Sequence, residues 1–226
     1  MRSSLLVALA LAAVPVRAQT EPAAPKPHRM EIRLQRLEAG EWKSVDPGLV
    51  FARDDRVRFH YRANFDGFLY VMNYSSSGQY ERLFPSEEAG RDNHVTAGSE
   101  YTVPATRAAF RIAGPAGHET IYWLVSPVEL SVATPALRQT TPKAARPEDL
   151  MPRCDDEILR ARGDCIDSSA GPRGVPNGDD LPRNLAASGA VTPRDLLIMR
   201  EENTTVVASP NPLTGPVVYE FRLAHR

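Results

Sequence analysis

Charge of one sign, glycine-rich phosphate loops and long apolar runs are all missing from this chain. Its 27 Lys and Arg stand against 28 Asp and Glu, a formal net charge of -1. That balance leaves no basic footprint for nucleic acid and no acidic tail. The kinase-type catalytic motifs and the Gly-x-Ser-x-Gly elbow of serine hydrolases are absent, so no catalytic residue is assigned and no cofactor is implied. His, Cys, Asp and Glu nowhere take the short spacing of a zinc or calcium motif, so no metal is assigned either. Aromatics are missing from one long stretch: of sixteen Phe, Trp and Tyr, fourteen lie between Trp42 and Trp123 and none between Trp123 and Tyr219. The core is therefore expected to come mainly from the first half of the chain.

What is present begins with a short basic start, an uncharged run over residues 5–14, and small residues before Gln19. This is the pattern of a secretory signal peptide over residues 1–18, with an apolar run too short for a bilayer span. A membrane anchor or buried N-terminal helix is the competing reading. No transmembrane span is expected in the mature chain, which should be exported, periplasmic or secreted. In an oxidising compartment Cys154 and Cys165 most simply form a disulfide, two free thiols or a partial metal site being the alternatives.

The chain is organised around residues 56–85. Val57, Phe59, Tyr61 and Ala63 alternate with Arg56, Arg58, His60 and Arg62, which in a period-two strand puts one set in the core and the other in water. Asn64 to Gly67 reads as a turn, residues 68–74 as a strand apolar on both faces, Ser75 to Gly78 as a second turn and residues 80–84 as a returning strand. The three strands are expected to form a β-meander. Further alternating or apolar segments at 30–35, 42–45, 101–104, 110–113 and 120–126 give short strands at about ten-residue spacing, which argues for an antiparallel sandwich.

After Thr134 the texture changes. Residues 134–195 hold eight of the twenty prolines and no aromatic, a composition expected to be a linker or long excursion. Within it, residues 155–162 could make two helical turns. Residues 196–199 favour a strand, although Pro193 also suits a helix start. Residues 217–223 alternate clearly. The expected organisation is a lead-in at 19–29, one β-sandwich domain from 30–133 plus 196–226, and a proline-rich insertion at 134–195 carrying a short helix and a disulfide. The fold class is mainly all-β, an antiparallel immunoglobulin-like sandwich.

The order Asp46-Pro47, Phe51, residues 54–59, residues 66–71, Leu83-Phe84-Pro85, Asp92-Asn93, Ala97-Gly98, residues 101–104 and residues 114–117 resembles the bacterial domain of unknown function 4384. The resemblance covers about residues 34–128, and residues 218–226 resemble the C-terminal strand of longer members. It implies an exported or membrane-attached β-rich module, sometimes joined to protease-like or kinase-like domains, with no established catalytic activity and so no catalytic residues to carry across.

The candidate binding surface is the strip Arg56, Arg58, His60 and Arg62, suited to an acidic protein or an anionic surface polymer, unless Glu31 or Glu220 lies on a neighbouring strand and neutralises it. The leading expectation is a non-catalytic module binding an envelope protein or surface polymer. The alternatives are a hydrolase or metal-dependent enzyme using Asp92, His94 and His60, and a structural domain whose insertion is the interacting part.

Overall fold

A computed structural model supplies the architecture and describes residues 27–131, 151–161, 164–175, 182, 185 and 193–226. The expected leader at 1–18, most of the lead-in and much of the proline-rich segment lie outside the described residues. The strands are β1 (His28–Glu38), β2 (Glu41–Ser44), β3 (Arg56–Ala63), β4 (Gly67–Tyr74), β5 (Tyr80–Phe84), β6 (His94–Val95), β7 (Glu100–Val103), β8 (Phe110–Arg111), β9 (Gly117–Ser126), β10 (Gly171–Arg173), β11 (Leu197–Glu201), β12 (Thr204–Ser209) and β13 (Val217–His225). A short helix, α1, spans Glu157–Ala161, inside the stretch expected to be helical.

Two antiparallel sheets form the sandwich. The first runs β11-β12-β1-β3-β7, with β2 also on β1 and β8 on β3. The second runs β10-β13-β9-β4-β5, with β6 on β4. The core between them follows from the alternation in each strand. Met30, Ile32 and Leu34 of β1 and Val57, Phe59 and Tyr61 of β3 meet Leu69 and Val71 of β4, Ile121 and Trp123 of β9, and Tyr219 and Phe221 of β13. Phe59 meets Trp123 edge-on at 5.3 Å and Phe221 at 5.2 Å between ring centroids. Such pairs add about 0.5–1.5 kcal/mol beyond the area they bury.

The expected meander is corrected in one respect. β3 pairs β1 and β7 in the first sheet, whereas β4 and β5 pair in the second. The Asn64 to Asp66 stretch is thus a crossing between sheets and not a hairpin turn. Asn64 stays tied to the end of β1, its Oδ1 accepting from Arg29 N (2.7 Å) and its Nδ2 donating to Pro27 O (2.9 Å). Phe65 drops into the core, and Asp66 Oδ1 accepts from Ala97 N (2.8 Å). Turn-forming residue types favour reversal of direction, but they do not say whether the next strand stays in the same sheet. Gly67 then enters β4 against β9, where a Cβ would lie 2.8 Å from the Ser126 carbonyl oxygen, so glycine is required by backbone contact.

The apolar outer face of β4 is also explained. Tyr70 and Met72 join Tyr80, Tyr122, Leu124 and Val218 in a second cluster on the outside of the second sheet, and Val175 and Leu185 pack onto it. Described parts of the 134–195 segment are therefore packed, which its aromatic-free composition did not lead one to expect. A few aliphatic side chains suffice because the aromatics are supplied by the sheet beneath. The Cys154–Cys165 disulfide is formed. It closes a loop whose backbone is bonded to residues 48–50, through Val50 N to Cys165 O (2.8 Å) and Asp167 N to Gly48 O (2.8 Å).

Two outcomes follow for urea unfolding. Phe59→Ala should cost about 3–5 kcal/mol, since the ring is fully buried and both aromatic contacts go with it. Replacing both cysteines by serine should cost about 2–3 kcal/mol, and a loss below 0.5 kcal/mol would mean that the loop is held by its hydrogen bonds alone.

Candidate binding surface

Burial of the odd-numbered residues of β3 leaves Arg56, Arg58, His60 and Arg62 on the outer face of the first sheet. The register of β1 on one side and of β7 and β8 on the other sets their partners. Arg62 lies opposite Glu31 and Glu100, His60 opposite Arg33 and Thr102, and Arg58 opposite Gln35. Arg62 Nη2 reaches Glu31 Oε2 at 3.3 Å. Arg58 Nε donates to Gln35 Oε1 at 2.8 Å, and its guanidinium sits 4.3 Å from the Trp42 ring centroid, a cation–π contact. Glu31 thus occupies the neutralising position anticipated for it, whereas Glu220 lies on β13 in the other sheet.

The upper end of the strip is different. Arg56 is exposed and directly opposite Arg111 across the β3–β8 pair. Arg111 in turn donates to Asp54 Oδ1 at 3.1 Å. Like charges placed opposite one another oppose strand pairing; Asp54 offsets Arg111, while Glu31, opposite Arg62 at the other end of β3, does not offset Arg56.

His60 is held between groups of both signs. Arg33 Nη2 donates to its Nδ1 at 3.0 Å, which puts the ring proton on Nε2, 3.6 Å from Glu100 Oε2. Burial, then the Arg33 charge, hold the His60 ring below the usual histidine range against the pull of Glu100, with Arg58 adding in the same direction as Arg33. Asp92 and His94, the other members of the hydrolase alternative, belong to the second sheet's edge. Asp92 Oδ1 accepts from His94 N at 3.1 Å, and the His94 ring meets Phe68 edge-on at 5.2 Å. The hydrogen bonds and ion pair of His60 go to Arg33 and Glu100, not to Asp92 or His94. Among the described residues no three His, Cys, Asp or Glu side chains gather in a set able to hold a metal ion.

Two buried polar clusters escaped sequence reading. At one end of the core Glu119 accepts from Asn73 Nδ2 (2.8 Å), Ser76 N (3.2 Å) and Ser76 Oγ (3.0 Å). His225 Nε2 lies 3.3 Å from Glu119 Oε1 but off the line of a hydrogen bond, so that contact is electrostatic. Burial pushes the Glu119 carboxyl up, and His225, Asn73 and Ser76 together outweigh it and hold the group below its ordinary value. On the other side of β9, His118 Nε2 lies 3.0 Å from the fully buried Asp167, whose Oδ1 and Oδ2 also accept from Ser169 and Arg153. Asp167 is likewise held low: burial acts upward, and the Ser169, Arg153 and His118 bonds prevail. Both clusters join residues more than forty positions apart, so no local pattern announced them. They tie the 75–78 turn, the C-terminal strand and the disulfide loop to β9.

Fold and surface together define an all-β sandwich whose charged strand face is open and whose buried acids brace loops. Residues 50–129 match the model of the family described as Domain of unknown function (DUF4384), the family that the sequence resemblance implied. No curated protein and no solved structure matches the chain. The matched segment runs from the approach to β3 through β9 and omits β1 and β13, which pair with those two strands.

The titrating groups make stability pH-dependent in two windows. His28, lowered by burial, and His60 bind a proton less readily folded than unfolded. The unfolded chain therefore takes up more protons just below about pH 6.5, and stability falls as pH falls through that point. The urea midpoint should drop between about pH 6.5 and 5, and the drop should shrink in a His28→Gln, His60→Gln double variant. Asp167 and Glu119 act in the same direction in a second, more acidic window, because their folded carboxyls are also held low. Their contribution is present above the ordinary carboxylate range and is lost as pH falls through their depressed folded values. Asp167→Asn should cost about 1–3 kcal/mol at pH 7 and leave a smaller further loss on acidification below pH 4 than in wild type.

Proposed function

We propose that this is an exported, non-catalytic binding module that takes an acidic protein or anionic surface polymer on the outer face of its first sheet. The observation that carries this reading is the juxtaposition of Arg56 and Arg111 beside the Arg58, His60 and Arg62 row. An anionic partner there would offset the charge of Arg56, which stands opposite another arginine in the β3–β8 register. Two further features support it. The second sheet has its apolar outer face covered by Val175 and Leu185, while the strip on the first sheet keeps Arg56 and Arg62 exposed. The disulfide is in keeping with an oxidising compartment.

The test compares wild type with a variant carrying Arg56→Glu, Arg58→Glu and Arg62→Glu in a pull-down from envelope extract, after circular dichroism and a thermal melt have shown the variant folded. A partner retained by wild type, released by raising salt from about 0.1 to 0.5 M as screened surface charges require, and lost by the folded variant is the expected result. Recovery of the same proteins or polymer by both would overturn the assignment to this face.

A further inference from the structure

On the outer face of the second sheet, beside the apolar cap, lies a cleft of about 400 Å³. Its volume falls in the range of small-ligand sites, about 300–1,000 Å³. The walls are braced from within the chain. Tyr70 OH accepts from Leu130 N at 2.7 Å, which fixes the strand exit at 129–130. Ser86 Oγ donates to Leu83 O and accepts from Ala89 N, both at 3.0 Å, and a Ser86–Gly90 bridge closes the facing loop. Asn93 Nδ2 donates to Leu69 O at 3.0 Å beneath them. Little ordering would thus remain for a ligand to impose.

The charges lining the cleft divide into two kinds. Arg91 is paired with Glu87. Arg82, on β5, and Glu129, at the exit of β9, line the same cleft, and among the described residues neither has an ion-pair or hydrogen-bond partner for its charged group. This contrasts with Arg58 and Arg62 on the other sheet, which are engaged with Gln35 and Glu31. A guanidinium offers a forked pair of donors suited to a carboxylate, and a carboxylate accepts from an ammonium. Tyr70, Pro85 and Leu130 add apolar surface to the lining.

We infer that this cleft binds a short zwitterionic peptide, with Arg82 taking its carboxylate and Glu129 its ammonium. A polyanion is disfavoured because the lining carries two acids as well as two bases. The site is on the opposite sheet from the strip treated above and stands independently of that reading.

The experiment is saturation-transfer NMR on the full mature chain, with a pool of tripeptides bearing free termini and two parallel pools, one N-acetylated and one C-amidated. Transfer to the free pool is expected, weakened about tenfold or more in affinity by either block, the loss of one charge-assisted hydrogen bond. Arg82→Gln should bind free and amidated pools alike, and Glu129→Gln should bind free and acetylated pools alike. Both residues are at least partly solvent-exposed, and circular dichroism checks that the variants keep the fold. No transfer to the free pool at millimolar concentration, equal transfer to blocked pools, or unchanged selectivity in both variants overturns the inference. So does binding abolished by the Arg56, Arg58 and Arg62 triple variant, which would move the peptide to the other sheet.

Discussion

The two sheets are held together by the contact of Phe59 with Trp123 and Phe221. Phe59 belongs to β3 in one sheet, and its two partners belong to adjacent strands of the other. Because β9 and β13 pair over nine residues from Val217 to His225, docking Phe59 onto both rings positions the whole second sheet against the first. The dependence runs outward from there. With β3 in place, its odd residues are buried and its even residues must face water, so the charged strip is a consequence of the core and not an independent feature.

The same constraint accounts for the position of the buried acids. Glu119 and Asp167 are costly to bury unpaired, yet each sits where loops meet the end of β9, with hydrogen-bond donors already aimed at it. They convert a β-strand that is rigid because of its core into an anchor for segments that have little core of their own. The disulfide loop, with one short helix and few apolar side chains, is fastened in this way through Asp167 to His118.

The two outer faces divide the surface into different kinds of site. The first sheet offers an array in which arginines alternate with acids on flanking strands, a pattern suited to broad recognition of charge. The second sheet is apolar and covered over much of its area, leaving a walled cleft with one base and one acid unengaged. A face open along its length can meet a polymer or protein, whereas a cleft of limited volume selects by size and by the position of charge.

The strands were legible because a half-buried strand writes its environment into every second residue. Val57, Phe59 and Tyr61 against Arg58, His60 and Arg62 need no partner to be read, nor do residues 217–223. The disulfide and the short helix near residues 157–161 were legible from spacing and local composition. What the residues could not announce was which strands are neighbours. Asn64 to Asp66 has the residue types of a hairpin, and only the hydrogen bonds of Asn64 to residues 27 and 29 and the burial of Phe65 make it a crossing. The opposition of Arg56 to Arg111, the pairing of His118 with Asp167 and the convergence of Arg82 with Glu129 likewise join distant positions. Local alternation determined, from sequence alone, which side of each strand faces water. Register and sheet assignment depend on long-range backbone pairing and on how the two cores fill, and those the tertiary structure alone decided.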